Sequence, residues 1–471
     1  MSLSTLPPEI LSEIAKLLED RDRNTWALVD KFSYHVLLAM RYCTITIDAY
    51  NAWDFITYAQ SCSLEYCRKL NVHCITHCGP TTLTQSLLAA SKFADGQITH
   101  LSWALERGSL SNEIETSDLF VKQSELRVLK LSPWPDDQPY PTSIISLTQL
   151  RELEFSIFTS RTQKLVNGEL IRDVLRNNPT LEILRFVRPT EGHNPRGIRG
   201  EEWRELLTCS ETEGHVQHPI GVREFVLRHC SAQDGYESFP WEVVGFGNLE
   251  ILSFEQTIDV AADLGYLATI TPENWGLERL EIGLWNHCMR HAPEQVSAIE
   301  RFLMHGNFCG LRHLRVELPG GRRLLSAASI SQHERLETLA ISATDDDGWL
   351  LAFSPAEIHE IVTACQSLHT LKCVLPALSN AEFYENLAKS TSIKQLQVIG
   401  LQSPRTKTPA WSWPRDVSHF DPVPRGMMED VSREIFGLCG RLEVLGLHVS
   451  EHYCENWEAE MRYYRYNSPA N

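Results

Sequence analysis

A chain of 471 residues, 43% hydrophobic and 22% charged, has the length and composition of a globular protein with a sizeable core. Forty-three Lys and Arg against 61 Asp and Glu leave a formal charge of −18, which speaks against bulk attraction to nucleic-acid backbones or anionic lipid. No apolar run is long enough to span a bilayer, no basic-then-apolar leader is visible, and the 13 scattered cysteines suit reduced thiols; the expectation is a soluble protein of the cytoplasm or nucleus.

The first elements read as helices. Pro7-Pro8 fits a helix entry, where missing N–H groups cost nothing. Ile10, Ile14, Leu17 and Leu18 follow as an apolar stripe that Leu11 widens. The polar EDRDRN breaks the pattern, and Trp26, Val29, Phe32 and Val36 make a second stripe at spacings of 3, 3 and 4. The spacing predicts a two-helix hairpin and then a short strand, TITI, at 44–47. So small a hairpin has more apolar surface than it can cover, which invites a partner.

Beyond the hairpin one six-letter pattern recurs: LEILRF at 181, LEILSF at 249, LERLEI at 277, LETLAI at 336 and LEVLGL at 442. Relaxed to apolar-x-x-apolar-x-apolar, it also takes in LRVLKL at 126, LRELEF at 150, VREFVL at 222, LRHLRV at 311, LHTLKC at 368 and IKQLQV at 393. CRKLNV at 67 and ITHLSW at 98 are weaker copies, so 49–471 holds about 11–13 irregular repeats. The last letters of each copy alternate, as in a strand with one buried face. The intervening segments have helical spacing: Leu170, Val174 and Leu175 in one, Ile358, Ile361, Val362 and Cys365 in another. EQVSAIERFLMHGNFCG and MEDVSREIFGLCGR repeat the form. Helix, turn and short strand at this spacing is a leucine-rich repeat. The fold class is therefore α/β: a solenoid with parallel strands on its concave face and helices on its convex face.

Residues 1–48 resemble the F-box. That family opens on Leu-Pro-x-Glu-Ile/Leu, matched here by Leu6-Pro7-Pro8-Glu9-Ile10-Leu11, and ALVDKF at 27–32 matches its apolar-Val-basic-aromatic stretch. Trp26 is bulky for its place, and Phe32 stands where Trp is frequent. An F-box ahead of leucine-rich repeats resembles the substrate receptors of cullin-type (SCF) ubiquitin ligases. The resemblance implies docking on a Skp-type adaptor, and through it on a cullin scaffold, by Leu6, Pro7, Pro8, Ile10, Leu11, Ile14, Leu18, Val29 and Phe32. It also implies a non-catalytic subunit without cofactors, whose solenoid presents a target protein. The alternative is a repeat scaffold that the helices merely cap.

Motifs for chemistry are thin. No Gly-x-Ser-x-Gly elbow occurs, and HEIVT at 359–363 lacks the second His of a zinc protease. Cys62, Cys67, Cys74 and Cys78, interleaved with His73 and His77, have the ligand types zinc favours. Cys67 and Cys74 fall on core positions of a repeat, however, where free cysteine acts as a small hydrophobe, so no metal site is assigned.

The outward column of the repeats reads Lys130, Glu154, Arg185, Val226, Ser253, Glu281, Arg315, Ala340, Lys372, Gln397 and Gly446. Arg185, Arg228, Arg279 and Arg315, with Glu281 and His313 beside them, are expected to form a basic strip for an acidic or phosphorylated target. Neither nucleic acid nor membrane is expected as a partner. A Pro-rich insertion at 403–426, carrying Trp411 and Trp413, is a second candidate for gripping the target.

Overall fold

The computed structural model describes residues 7–18, 20–29, 31–48, 64–74, 93–105, 117–132, 140–157, 167–188, 203, 221–229, 239, 241, 244–257, 260–270, 275–284, 292–305, 308, 310–344, 351–376, 380–401, 425–450 and 458–464. The chain forms two compact units, Met1–Pro195 with Arg204–Ile220, and Arg196–Trp203 with Gly221–Asn471.

The first unit opens with three helices, α1 (Pro8–Lys16), α2 (Asp20–Ala27) and α3 (Lys31–Tyr42). The expected hairpin had two. Its second stripe is split by a turn at Leu28–Val29, so Val29 lies between helices rather than along one. Asp30, a residue type that favours helix starts, immediately precedes α3 in the sequence. Strands β1 (Thr44–Asp48), β2 (Lys69–Cys74), β3 (His100–Leu105), β4 (Val128–Leu131), β5 (Glu152–Ser156) and β6 (Ile183–Val187) then pair in chain order, each parallel to the last. Helices α4 (Ser117–Lys122) and α5 (Gly168–Asn177) stand between strands.

The second unit continues the pattern with β7 (Glu224–Arg228), β8 (Ile251–Thr257), β9 (Arg279–Leu284), β10 (His313–Leu318), β11 (Thr338–Ala343), β12 (Thr370–Leu375), β13 (Gln395–Leu401) and β14 (Val444–Ser450), again all parallel. A last strand, β15 (Glu458–Tyr464), runs antiparallel to β14. The helices are α6 (Ala261–Ile270), α7 (Ala292–His305), α8 (Ala327–Ser331), α9 (Pro355–Ala364), α10 (Ala381–Ala388) and α11 (Arg425–Leu438). Helix α11 begins within the last residues of the expected irregular insertion; the remainder of that insertion lies outside the described residues.

Each of the 13 sequence motifs becomes one strand, from β2 to β14. This is the leucine-rich-repeat solenoid fold. The motif works because its three apolar letters all go inward: Leu126, Leu129 and Leu131 are fully buried, as are Leu336, Leu339 and Ile341. Helices complete the core from behind. On α5 the buried set is Ile171, Val174 and Leu175; Leu170, expected there, is only half-buried, because the i, i+3, i+4 stripe starts one residue later. Helix α9 buries Ile358, Ile361 and Val362 and is capped reciprocally by Ser354 and Glu357. Aromatic rings fill the wider gaps, with Trp241 packed between Phe225 and Phe254, and Trp275 against Phe302 and Phe308.

Buried polar side chains tie one repeat to the next. Asn178 donates through Nδ2 to the carbonyls of Leu147 and Val174, each at 2.8 Å, and its Oδ1 accepts the Leu150 N–H at 2.7 Å. Gln123 accepts the Ile98 N–H at 2.8 Å and donates to the Ala94 carbonyl at 2.9 Å. These contacts occupy backbone groups of strand entries, turns and the end of α5 that the sheet ladder does not reach.

Candidate functional site

Two surfaces carry the residues singled out in the sequence. The first is on the helices. Leu11, Ala15, Trp26, Val36 and Leu37 form a small core of their own, with Ile14, Leu18 and Met40 partly buried against it. Leu11 is 1% exposed and so holds the helices together rather than offering itself to a partner. The neighbouring residue does the opposite: Ile10 is 48% exposed, with Val29 at 68% and Phe32 at 38%. Sequence reasoning passed over Leu28 (86%) and Tyr34 and, though it put Leu17 (87%) on the apolar stripe, did not count it among the docking residues. Their signal was present, since Leu28 adjoins Val29 in the turn that interrupts the stripe. Pro7 is exposed, Pro8 opens α1, and Leu6 lies outside the described residues. A hydrogen bond of 3.4 Å between the Tyr66 hydroxyl and His35 Nδ1 links α3 to the turn before β2.

The second surface is the outward face of the sheet. In the first unit Asn71, Ser102, Lys130, Glu154 and Arg185 stand in direct register across β2 to β6. In the second, Val226, Ser253, Glu281, Arg315, Ala340, Lys372, Gln397 and Gly446 do the same across β7 to β14. The column read from the sequence is thus a physical row within each unit, but Glu154, Val226 and Ser253 in it are buried rather than open to a target.

Its charge differs from the expectation. Arg185 is engaged by Glu152, Arg228 by Glu255 at 2.5 Å, and Arg315 by Glu317 at 2.7 Å. The strip is therefore a lattice of opposed charges, not a bare basic surface, because outward letters on adjacent strands come within side-chain reach. Burial alone would raise the Glu152 carboxyl, but Lys130 and Arg185 together hold it below the ordinary range. Burial lifts the Glu281 carboxyl above its usual range against the pull of Arg315 and Arg279. His313 is held below the usual histidine range by burial and then by Arg279, its register neighbour.

A further ladder runs along the strand entries, at the second letter of each motif. Arg151 meets Glu182, Arg223 meets Glu250 at 2.9 Å, Arg312 meets Glu337 at 3.0 Å, and Lys394 meets Glu443 at 3.1 Å. These pairs are exposed and each contributes little stability, on the order of 0–1 kcal/mol.

Cys67 is buried, and burial pushes its thiol up to about 11, the behaviour of a core residue. Cys62, His77 and Cys78 lie outside the described residues, as do Trp411 and Trp413. Among the described residues no helix is long and apolar enough to cross a membrane.

No family model and no curated protein matches the chain. Among solved structures it is similar to that of the Rad7 and Elc1 complex in yeast, at 14% identity over 84% of this chain and 91% of that one, with a TM-score of 0.40. It is also similar to the leucine-rich repeat-containing protein LegL7 from Legionella pneumophila, at 12% identity over 85% and 98% of the two chains, TM-score 0.33. A leucine-rich repeat protein from Bacteroides thetaiotaomicron is similar at 9% identity over 79% and 55%, TM-score 0.19. At these levels of similarity the neighbours say nothing about what this chain binds.

Proposed function

We propose that the chain is the substrate-recognition subunit of an SCF-type ubiquitin ligase: residues 1–48 dock on a Skp-type adaptor, which joins a cullin scaffold, and the solenoid holds a target protein. The observation that carries this reading is the distribution of exposed apolar side chains. Of the ten large hydrophobic residues found exposed among the described residues, six (Ile10, Leu17, Leu28, Val29, Phe32 and Tyr34) lie on the three N-terminal helices and the turns that join them. Apolar surface gathered in one place marks an interaction site, whereas single exposed residues do not. The Leu6–Leu11 motif supports assigning the site to an adaptor. In this reading the chain is non-catalytic, ubiquitin transfer belongs to other subunits, and the protein works in the cytoplasm or nucleus.

One observation favours a second reading, a repeat scaffold capped by its helices: the Tyr66–His35 bond ties α3 to the start of the solenoid. Co-purification with a Skp-type adaptor separates the two. Ile10→Asp with Val29→Asp should abolish co-purification and leave the unfolding midpoint of the solenoid unmoved. A lowered midpoint with adaptor binding intact would establish the cap instead.

A further inference from the structure

The outward face of β2, β3 and β4 differs in kind from the paired lattice of the later strands. Strand alternation places Lys69, Asn71 and His73 outward on β2, with Leu70 and Val72 buried beneath. On β3 it places His100 and Ser102 outward, with Leu101 and Trp103 buried, and on β4 it places Val128 and Lys130 outward. None of these outward letters is a carboxylate. The residues just before the strands, Arg68, Thr99 and Arg127, are successive neighbours in the backbone ladder, since the Arg68 carbonyl accepts the Thr99 N–H and the Thr99 carbonyl accepts the Arg127 N–H, both at 2.9 Å. Lys69, His73 and Arg127 are exposed. Among the described residues, acid stands at the margins: Asp48 in register with His73, Glu152 and Glu154 on β5, and the exposed Glu65 and Glu125 ahead of Arg68 and Arg127. Glu152 is already taken up by Lys130 at 2.8 Å and by Arg185. On a chain of net charge −18, a run of cations this poor in acid is a local reversal of sign.

His100 sits between these cations. The Thr99 hydroxyl lies 3.2 Å from the Arg68 carbonyl oxygen and 2.8 Å from His100 Nδ1. The hydroxyl and the ring nitrogen share this hydrogen bond, and the tautomer of the ring sets which of them donates; Nε2 is left to meet a ligand. Burial lowers the affinity of the ring for a second proton, and Lys69, Lys130 and Arg127 lower it further against the opposing pull of Glu152. An arriving dianion reverses the sign of that field, so the ring gains a proton and Nε2 becomes a donor.

We infer that β2–β4 form a binding site for a phosphate monoester carried on a protein segment, with Lys69, His100 and Arg127 as its cationic donors and Asn71 and Ser102 as neutral ones. A phosphate brings close to two charges and three strong acceptors to one point, which matches clustered donors better than a lone carboxylate does. Three strands at ~4.8 Å spacing offer about 10 Å of width, enough for one or two phosphates rather than a charged polymer. No Phe, Tyr or Trp side chain faces outward on the described residues of β2–β4 to stack a nucleobase, and none of the exposed large hydrophobic residues lies there to enter a bilayer. The inference does not depend on the ligase reading, because none of these residues lies on the N-terminal helices.

The test uses the full chain and a pair of immobilised peptide libraries, identical except for phosphorylation of a central threonine. The chain should be retained by the phosphorylated library alone. Lys69→Glu with Arg127→Glu should cut retention about tenfold or more, through loss of two charge-assisted contacts. Lys372→Glu, the single charge reversal on the outward face of β12, should leave retention unchanged. If the paired reversal lowers the unfolding midpoint, Lys69→Ala with Arg127→Ala takes its place. In histidine-labelled protein, the His100 ring, assigned by its disappearance in His100→Gln, should titrate at higher pH once a retained phosphopeptide is added. Equal retention on both libraries, no retention on either, or full retention by the charge variants overturns the site. Tighter binding to a single-stranded oligonucleotide or to phosphatidylserine vesicles than to the phosphopeptide overturns the assigned partner.

Discussion

Ile10 and Leu11 are adjacent in α1 yet meet opposite surroundings, which makes them a matched pair for testing the adaptor surface. Leu11 is 1% exposed within a core of five buried residues among those described. Its truncation to alanine removes buried methyl groups and leaves a cavity, at a cost of about 2–5 kcal/mol. That is enough to unfold so small a helical group. Ile10 is 48% exposed, so Ile10→Ala removes little buried surface and gains helix propensity, leaving stability within about 0.5 kcal/mol. Burying a whole isoleucine yields roughly 1.5–3 kcal/mol, and about half of it is still available on Ile10, so adaptor affinity should fall by ~1 kcal/mol, or about five- to tenfold. Calorimetric titration with a purified Skp-type adaptor measures the second effect, and circular-dichroism melts the first. The reasoning fails if Ile10→Ala destabilises the helices as much as Leu11→Ala does while adaptor affinity stays unchanged.

Other consequences are open to measurement. Asn178→Ala deletes three hydrogen bonds and strands buried backbone groups of Leu147, Val174 and Leu150, so denaturant titration should show a loss of about 3 kcal/mol or more. Burial holds the His333 ring down to about 4, below its unfolded value. The folded state thus binds fewer protons there, so stability is complete above pH ~6.5 and is lost as pH falls towards 4, by roughly 3 kcal/mol; His333→Gln should flatten melting temperature across that window. Arg279→Glu with Arg315→Glu should change stability by less than about 1 kcal/mol, since both are exposed. By replacing both cations beside Glu281 with acids, the same change should raise that carboxyl further, as carboxyl NMR titration would report.

The repeat strands were legible because the motif states three inward positions at once, and burying them leaves the backbone a single register. Nothing comparable announces β15, whose sequence lacks the motif and which pairs antiparallel to β14. The N-terminal stripes were legible as apolar, but periodicity does not say which side of a helix meets its neighbour. Leu11, expected at the adaptor surface, therefore goes inward, and Leu17, not counted there, goes outward. The arginine strip carries more acid than expected for a related reason. Letters two apart on a strand share a face, and letters on adjacent strands stand side by side, so Glu152, Glu255 and Glu317 reach arginines that the one-dimensional column keeps apart.

The separation of inward from outward letters also decides where function can lie. An inward position such as Trp103 or Leu280 is constrained by packing, and changes there are felt first as lost stability. An outward position is almost free of that constraint, so its letters can be set by a ligand. Where outward charges already answer one another, as at Arg228–Glu255 and Arg315–Glu317, an arriving charge must displace an internal partner. Where they do not, as at Lys69, His100 and Arg127, it meets cations whose mutual repulsion it relieves; the His100 ring, lowered first by burial, is lowered further by Lys69. Binding free energy is therefore larger where like charges gather than where opposite charges alternate.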